Sequence, residues 1–372
     1  MANLTIRPVR SKADEKLFIR FLWDIYKNDP LWVPPLMMDR EKLIDRKKNP
    51  FYAHSDMELF LAERDGKVVG RIGAIVNHNH NKEHSDKVGF FGFYEAVDDQ
   101  TVANALFDEA KKYLKSKGMT EMRGPANPSV NDEYGLLVEG FDRSPVVLMT
   151  YNPKYYIQQF ETYGLKKLRD LYAYILSQDT VYSERFLRFN EIVKKREGLT
   201  FRPINMKDFK GEVDRIKTIY NKAWAKNWGA VPMTDAEFDA LAADLKPVVV
   251  PELIIMAEAK GEPIGFALSL PDINMALIHN RNGGILGGLY HLYTKKKKID
   301  TVRIIVLGVI PEHVKTGAAG VLFYETAVRA KKLGYKYGEA SWVLEDNIMM
   351  NRAAEMMSGQ RYKTYRIYEM AI

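Results

Sequence analysis

Residues 304–325 combine an apolar run, a short polar turn and a stretch of small residues that opens a helical pattern. The apolar run over 304–310 predicts a buried strand, which Pro311 ends. Gly317-Ala-Ala-Gly320 then begins a pattern with apolar residues at three- and four-residue steps. A helix N-terminus presents unpaired N–H groups and the positive end of the helix dipole, and small residues let a phosphate approach them. The stretch predicts either an anion site or a tight strand-to-helix turn without a ligand.

The composition is typical of a soluble globular protein with a basic excess. Of 372 residues, 46% are hydrophobic and 28% are charged, and the net charge is +7. This length predicts two domains, and no apolar run approaches the ~20 residues that a membrane span needs. The absence of cysteine excludes disulfides and cysteine-based zinc sites. We therefore expect a cytoplasmic protein with an anionic partner, which could be nucleic acid, lipid headgroups or a phosphate-rich cofactor.

Four landmarks occur twice in the same order, which predicts a tandem duplication. The pairs are Arg7-Pro8-Val9 with Arg202-Pro203-Ile204, Ala62–Gly70 with Ala257–Gly265, Leu106–Gly118 with Leu322–Gly334, and Asn152–Gly164 with Asn347–Gly359. The members of the first, second and fourth pairs are 195 residues apart, and those of the third pair are 216 residues apart. The second copy therefore carries 21 extra residues before its central helix. The first copy carries 21 extra residues after its central helix. We predict copies over 1–178 and 200–372, joined by a linker helix within 179–199.

Each copy predicts the same order of elements. A short strand leads into helices, two strands meet at a glycine turn, another strand precedes the central helix, and more strand follows. Asp65-Gly66 and Lys260-Gly261 lie between alternating runs and predict the hairpin turns. The stretch Ser183–Glu197 predicts a connecting helix. This order favours an α/β (α+β) fold in which helices cover a mixed sheet.

Each copy resembles the GCN5-related N-acetyltransferase (GNAT) fold, which has a pyrophosphate-binding loop at a helix N-terminus. Val314-Lys-Thr-Gly317-Ala-Ala319 matches the loop pattern Gln/Arg-x-x-Gly-x-Gly/Ala at its two small positions, with Val314 replacing the Gln or Arg. More narrowly, GPANPSVNDEYGLLVEGFD, MTYNPKYY, LPDIN and WVLEDN resemble a family of tandem GNAT-like proteins that includes bacterial ceramide synthases. The resemblance covers nearly the whole chain. It implies acyl transfer from acyl-CoA to an amine, which in ceramide synthesis belongs to a long-chain sphingoid base.

The resemblance implies a site for acetyl-CoA or a longer acyl-CoA in the second copy. The implied residues are Val309, Ile310, Lys315, Thr316, Gly317, Ala318, Ala319, Gly320 and Asn347. Strand backbone would bond to pantetheine, and residues 315–320 would hold the pyrophosphate. In the first copy, Asp98 and Thr101 take the positions of Val314 and Gly317, and carboxylates there would repel a diphosphate. The second copy is therefore predicted to bind CoA, and the first is not.

Three residues are candidates for the acid–base chemistry of acyl transfer. Glu345 and Asp346 follow the predicted strand Tyr337–Leu344, where a carboxylate could accept the amine's proton if burial raises its pKa. Alternatively, Asp346 caps a helix beside an exposed Glu345. Tyr324, in the central helix, is the third candidate, because the tyrosine that often acts as general acid in the family has no clear counterpart here.

Three other segments have alternative interpretations. The segment from His78 to His84, with three histidines, predicts a solvated polar loop in preference to a zinc site, and no metal is expected. Residues 131–141 predict either a wall of the acceptor site or a packing loop between the domains. Residues 283–298 join glycines and large apolar residues to Lys295–Lys298. They predict either a peripheral contact with a membrane surface or a helix that covers the core.

Three functions are compatible with the sequence. The leading hypothesis is an acyl-CoA-dependent N-acyltransferase whose acceptor is a lipid amine or a small-molecule amine. The alternatives are Fem-type transfer from an aminoacyl-tRNA and a non-catalytic tandem scaffold that binds acyl-CoA or nucleic acid. Fem-type proteins usually carry a long helical arm, and no sustained heptad pattern is visible here. A nucleic-acid partner is therefore not expected, the oligomeric state is left open, and a lipid acceptor would place the protein at the inner membrane face.

Overall fold

The structure is a computed structural model that describes residues 3–180, 184–196, 198–224 and 227–372, apart from the side chains of Arg185 and Arg196. Contacts between Cα atoms divide the chain into two compact units. Unit 1 contains residues 1–170, 276–294 and 364–372, and unit 2 contains residues 171–275 and 295–363. The units are therefore not contiguous in sequence. The predicted boundaries at 178 and 200, which separate the two sequence copies, stay a prediction.

The first copy alternates strands and helices as the sequence predicts. Its elements are β1 (Leu4–Pro8), α1 (Lys12–Ile25), α2 (Met37–Ile44), β2 (Ser55–Arg64), β3 (Lys67–Asn77), α3 (His78–His84), β4 (Val88–Ala96), α4 (Gln100–Ser116), β5 (Glu121–Gly124), β6 (Ala126–Asn127), β7 (Glu133–Tyr134), β8 (Leu136–Glu139), α5 (Tyr156–Tyr163) and β9 (Lys166–Ser177). The β2–β3 hairpin turns at Asp65 and Gly66, which both have positive φ. This is the conformation that the Asp-Gly signal predicts.

The second copy repeats this order after a connecting helix. Its elements are α6 (Glu184–Arg196), β10 (Leu199–Pro203), α7 (Phe209–Trp224), α8 (Asp235–Leu245), β11 (Ile254–Ala259), β12 (Glu262–Pro271), α9 (Asn274–Leu277), α10 (Ile285–Lys295), β13 (Thr301–Val309), α11 (Ala318–Lys332), β14 (Tyr337–Leu344), α12 (Ile348–Met356) and β15 (Gln360–Ala371). Both ends of the predicted connecting helix, Ser183 and Glu197, lie outside the described residues, and α6 accounts for the rest.

Each unit contains a mixed sheet that ends with the last strand of the other copy. In unit 1 the order is β1-β2-β3-β4-β5, followed by the C-terminal part of β15. In unit 2 the order is β10-β11-β12-β13-β14, followed by the C-terminal part of β9. The β4–β5 and β13–β14 pairs are parallel, and the other pairs named in these two orders are antiparallel. The two copies have thus exchanged their last strands, which explains why the units are discontinuous in sequence.

One ion-pair motif occurs in both copies and supports the duplication. The Arg7 guanidinium donates to Glu63 on β2 at 2.9 Å and to Asp14 on α1 at 2.7 Å. In the second copy, Arg202 donates to Glu258 on β11 at 2.7 Å and to Glu212 on α7 at 2.7 Å. Arginine suits such sites because its planar fork reaches two carboxylates at once. Each motif ties the first strand of a copy to its neighbouring strand and to its first helix.

The central helices α4 and α11 pack on their sheets through equivalent residues. At the offset of 216, five buried residues of α4 correspond to five buried residues of α11. The pairs are Val102 with Ala318, Leu106 with Leu322, Phe107 with Phe323, Ala110 with Thr326, and Leu114 with Ala330. Their three- and four-residue spacing places them on one helix face. The alignment of the two copies is therefore correct through these helices.

The segment Ala276–Thr294 comes from the second copy but belongs to unit 1. Its helix α10 has 11 residues. The segment is held by unit 1 backbone, since the Met37 N–H donates to the Gly283 carbonyl at 2.9 Å. Within the part of the chain that the structure describes, no helix has the length and apolar character needed to cross a membrane.

Candidate active site

Strands β13 and β14 separate near the middle of β13 in unit 2. Their parallel pairing runs from Thr301 opposite Tyr337 to Ile304 opposite Ala340 and ends there. Beyond this point β14 continues beside β9, with Leu344 opposite Leu171. A bulge in β13 falls at the same level, where its register against β12 shifts. The second half of β13 therefore has one edge without a strand partner among the described residues of unit 2.

The backbone of β13 directs alternate groups to this open edge. The N–H of Ile310 donates to the Ile264 carbonyl of β12 at 2.9 Å. Because polar groups alternate between the two sides of a strand, the N–H of Val309 and that of Leu307 point away from β12. Of the two predicted pantetheine contacts, Val309 thus offers an N–H to the open edge, whereas the N–H of Ile310 is already used.

The loop after β13 leads directly into the N-terminus of α11. Gly317 has φ of +86°, a left-handed conformation that favours glycine. Because glycine has no side chain, this N-cap residue supplies no side-chain cap to the first N–H groups of the helix. The Thr316 hydroxyl donates to the His313 carbonyl at 2.7 Å and accepts from the Ala318 N–H at 3.2 Å, which holds the loop in shape. The N–H groups of Ala319 and Gly320 lie in the first turn, where a helix leaves its donors without intrahelical partners. These donors fit a diphosphate.

Helix α6 supplies a second reason for small residues at this turn. A Cβ atom on Gly320 would lie 2.7 Å from Cε1 of Phe189, and one on Gly317 would lie 3.0 Å from Cγ2 of Val193. Both distances are below ordinary van der Waals contact. The glycines therefore let α6 pack closely against one side of the first turn.

The other predicted site residues lie at three places. Tyr324 packs against α6, with its ring 5.9 Å from that of Phe186 and 5.2 Å from Lys194 Nζ. Asn347 caps α12, because its side chain accepts from the Met350 N–H at 3.2 Å. Glu345 and Asp346 form the turn between β14 and α12, where Glu345 is half-buried and Asp346 is exposed. The N-cap that the alternative interpretation assigned to Asp346 is thus taken by Asn347.

The edge of the first-copy strand that corresponds to the open edge of β13 is occupied. After Gly124 the chain passes across β4, so close that a Cβ on Gly92 would lie 1.6 Å from the Ala126 carbonyl oxygen. The Asn127 side chain accepts from the Phe93 N–H at 2.5 Å. Ala96, which corresponds to Val309 in the strand register, donates its N–H to the Tyr156 hydroxyl at 3.0 Å. In the first copy, the segment after Gly124 therefore covers the part of the β4 edge that lies next to the bulge.

The helix N-terminus of the first copy also differs in length and charge. Ala96 pairs with Gly70 as Val309 pairs with Gly265, an offset of 309 − 96 = 213 compared with 216 in the helices, so its loop is three residues shorter. Asp99 caps α4 by accepting from the Thr101 N–H at 2.8 Å, and it pairs with Arg64 at 2.8 Å. The Thr101 hydroxyl also donates to Asp99, at 2.6 Å, and this bond is the main cause that lowers the pKa of Asp99 to about 2. A permanent carboxylate therefore takes the place that an anion would need.

A buried polar network at the base of the open edge was not foreseen from the sequence. Arg303 lies opposite Glu339 near the end of the β13–β14 pairing, and both residues are buried. Ser341 donates to Glu339 at 2.5 Å and accepts from Arg303 Nε at 3.1 Å. Tyr362 also donates to Glu339. The buried Lys363 places its Nζ 5.6 Å from the centre of the Tyr362 ring. Burial raises the pKa of Glu339, against the opposing effect of Arg303. Charged residues inside otherwise apolar strands were the available signal.

The first copy has its own buried carboxylate. The hydroxyls of Tyr26 and Tyr156 donate to Glu95 at 3.0 and 2.7 Å, and Arg71 lies 3.7 Å away. Burial raises the pKa of Glu95. Tyr26 follows α1 and Tyr156 begins α5, so these bonds tie both helices to β4. A buried hydrogen-bond network of this kind holds an arrangement of elements in place.

The histidine-rich segment is a helix and not the loop that the sequence predicts, although four of its seven residues are exposed. These residues form α3, which Asn77 caps by accepting from the His80 N–H at 3.2 Å. His80 is only 3% exposed and packs edge-on against Phe90, and burial lowers its pKa to about 3. Within the described residues, no group of three or more His, Cys, Asp and Glu side chains is arranged to hold a metal ion. The N-cap at Asn77 was the missed signal.

The segment 131–141 makes its described contacts within unit 1. Glu133 pairs with Arg40 and accepts from the Asn127 side chain at 3.0 Å. Strand β8 pairs with β15, where Leu136 lies opposite Arg366. This segment therefore supports Asn127, the residue that closes the first-copy edge. Its suggested role as a wall of the acceptor site stays a prediction.

The chain is similar along its full length to two bacterial proteins, and no family model matches it. It is 36% identical to the bacterial ceramide synthase of Caulobacter vibrioides (strain NA1000 / CB15N), over 100% of this chain and 98% of the relative. It is 34% identical to protein YghO of Escherichia coli (strain K12), over 99% and 95%. A solved tandem GNAT protein from the clavulanic acid biosynthesis pathway has a TM-score of 0.55 at 9% identity, over 99% of this chain and 98% of that one. The predicted tandem GNAT fold is thereby confirmed.

Proposed function

Because the chain belongs to the family of tandem GNAT-like proteins that includes a bacterial ceramide synthase, we propose that it transfers an acyl group from acyl-CoA to the amine of a long-chain lipid. Ceramide is an N-acylated sphingoid base, so the name of this relative points to that class of acceptor. A small-molecule amine is the second candidate. Acyl transfer to nitrogen is supported by both the relative and the fold, whereas the donor and the acceptor are our proposal.

The open edge of β13 is the observation that carries the proposal. A pantetheine arm contains two amides, and it can bond to Val309 and Leu307 as an added strand would. The loop at 311–317 then leads from this edge to the first turn of α11, whose N–H groups and dipole suit a diphosphate. Lys315, exposed in the loop, adds a positive charge that Val314 cannot supply. In the first copy, Asn127 covers the edge where pantetheine would bind. The carboxylate of Asp99, at the N-terminus of α4, would repel the diphosphate.

The reaction requires one bond exchange and two proton movements. The bound thioester supplies the acyl carbon, which the amine nitrogen attacks, so that a C–N bond forms and the C–S bond breaks. The amine must lose a proton, and the departing thiolate must gain one, to yield an amide and free CoA. The protein has to position the amine, exclude competing water and hold the proton in transit.

Glu339 is the best-placed carboxylate for this proton among the described residues of unit 2. It lies where β13 and β14 separate, and burial raises its pKa, which brings a carboxylate closer to the range useful for a general base. Tyr362 and Ser341 orient it through hydrogen bonds. Glu345, half-buried after β14, and Asp346 remain the alternatives for the same role. Tyr324 packs beneath α6, so we propose it only as a remote candidate for the acid.

A product assay tests the proposal directly. The protein is incubated with palmitoyl-CoA or acetyl-CoA together with sphinganine, spermidine or glucosamine, and N-acylated products are identified by mass spectrometry. We expect N-palmitoyl-sphinganine to form, with release of one CoA thiol per amide. Acylation of a polyamine or amino sugar alone would keep the N-acyltransferase assignment and overturn the lipid acceptor.

The two other hypotheses predict different results. A scaffold would bind palmitoyl-CoA in isothermal titration but form no amide with any amine. A Fem-type enzyme would bind aminoacyl-tRNA with an affinity that depends steeply on salt concentration, and it would not use acyl-CoA as a donor. Either result would overturn the proposed function.

A further inference from the structure

Helix α10 exposes the large apolar residues that an ordinary surface helix would bury. Five apolar side chains are strongly exposed, at 46, 80, 58, 64 and 87% for Ile285, Leu286, Leu289, Tyr290 and Tyr293. At 100° per residue these positions span about 140° of the helix circumference, so they form one continuous face. We call these five residues the α10 apolar face. A surface helix normally turns such a face towards the core.

The opposite side of α10 is built from small residues that pack closely on unit 1. Gly288 is buried, and a Cβ on it would lie 2.9 Å from the Leu36 side chain. A Cβ on Gly283, which has φ of +67°, would lie 2.5 Å from the Trp23 ring. The Arg281 guanidinium donates to the carbonyls of Trp32 and Asp29 at 2.8 and 3.0 Å. The orientation of α10 is therefore set by contacts that need glycine inside, and the apolar face is left outside.

The chain directly after this helix is basic. Lys295–Lys298 follow the apolar face, and Lys296, Lys297 and Lys298 are exposed. Lysine contributes three donors and a compact charge, which suit phosphate groups at a surface. An amphipathic helix with aromatic and aliphatic residues on one side and adjacent lysines is the pattern that binds at the boundary between headgroups and acyl chains.

We propose that the α10 apolar face and the lysines after it dock the protein onto a bilayer that contains anionic lipids. The five apolar side chains would enter the headgroup boundary, and the lysines would contact lipid phosphates. The charge complementarity favours this occupant over a second copy of the chain, whose own lysines would be brought close together. The inference goes beyond the proposed function, because it concerns where the protein binds, whatever acceptor it acylates.

Vesicle flotation with the full chain and no substrate tests this inference. The vesicles are phosphatidylcholine alone, or phosphatidylcholine with 30% phosphatidylglycerol. We expect the native protein to float with the anionic vesicles and Leu286→Ser/Tyr293→Ser to bind at least tenfold more weakly. The matched control, Leu17→Ser/Leu333→Ser, also removes two exposed apolar residues and should bind as the native protein does.

A second pair of variants tests the charge. Lys296→Gln/Lys297→Gln should weaken binding to anionic vesicles by about 30-fold, since each lysine near such a surface contributes roughly fivefold. Lys47→Gln/Lys48→Gln, which removes two adjacent exposed lysines elsewhere, is the control. Circular dichroism and the thermal midpoint confirm that each variant is folded. The proposal is overturned if the native chain does not float, if the α10 variants float normally, or if sedimentation shows a dimer that Leu286→Ser/Tyr293→Ser dissociates.

Discussion

The sharpest test of the CoA site is a charge placed in the first turn of α11. Ala319→Asp adds one carboxylate at the second residue of the helix, beside the N–H groups proposed to hold the diphosphate. Ala319→Asn has nearly the same shape without the charge, so it reports any steric effect. A carboxylate near a helix N-terminus stabilises the helix by about 0.3–1 kcal/mol. The aspartate variant should therefore be at least as stable as the asparagine variant, and a loss of CoA binding cannot be attributed to unfolding.

The expected loss follows from Coulomb's law. For a carboxylate about 6 Å from each of two phosphate charges, in a partly exposed site of effective dielectric constant about 40, each pair costs about 1.4 kcal/mol. The two pairs together cost about 2.8 kcal/mol, which corresponds to roughly 100-fold in Kd. Because the groups are partly exposed, the penalty should shrink as the salt concentration rises.

Isothermal titration with CoA, at low and high salt, measures this loss. We expect Ala319→Asn to bind nearly as the native protein does and Ala319→Asp to bind about 100-fold more weakly at low salt. Asn104→Asp is the control, since it adds the same charge isosterically at the fifth residue of α4, near the helix start that Asp99 caps in the first copy. Equal affinities for Ala319→Asp and Ala319→Asn would refute the diphosphate site, and a loss with Asn104→Asp would point to the first copy instead.

Three further predictions concern single residues. Burial raises the pKa of Glu339 above its ordinary value of 4.5, so the folded state keeps a proton that the unfolded chain releases, and the free energy of unfolding should fall as pH rises through that window. Glu339→Gln should remove this slope in urea unfolding between pH 5 and 8 and lower acyl transfer by about 10²–10⁴-fold; unchanged turnover would exclude it as the base. The pKa of Asp99 is lowered to about 2, so its stabilisation should disappear as pH falls from about 4 to 2, and Asp99→Asn should show a flatter acid-unfolding curve than the native protein. Gly283→Ala should cost about 1–3 kcal/mol in chemical unfolding, because its methyl group meets the Trp23 ring at a positive φ; a cost near zero would mean that α10 is not anchored there.

Local patterns were sufficient for most of the elements. Strand β14 was predicted with its observed bounds, and the Asp65-Gly66 and Lys260-Gly261 hairpins are present as expected. Alternation, helical spacing and turn residues act over a few neighbouring positions, so the sequence displays them directly. The histidine-rich segment failed because its polar residues suggested solvent, whereas the packing of His80 against Phe90 decided its environment.

Roles in the candidate site were harder to predict, because they depend on what lies opposite each residue. Ile310 was assigned to pantetheine, yet its N–H is used by Ile264 on the neighbouring strand. Glu339 was overlooked, since its burial and its partners on β13 and β15 become evident only when three strands are assembled. The small residues of the α11 turn also have a packing partner in α6 that no motif records.

The sequence by itself determined that the chain is a duplication and where the central helix of each copy lies. It also determined that the second copy has a glycine-containing turn before this helix, where the first copy has Asp98 and Asp99. These properties follow from residue types at fixed spacings along the chain. Tertiary structure alone decided that the two copies exchange their last strands, that Asn127 covers the first-copy edge while the edge of β13 stays open, and that α10 turns its apolar face outward. Each of these depends on contacts between residues distant in sequence, where close packing and hydrogen bonding select one arrangement among many that the local patterns allow.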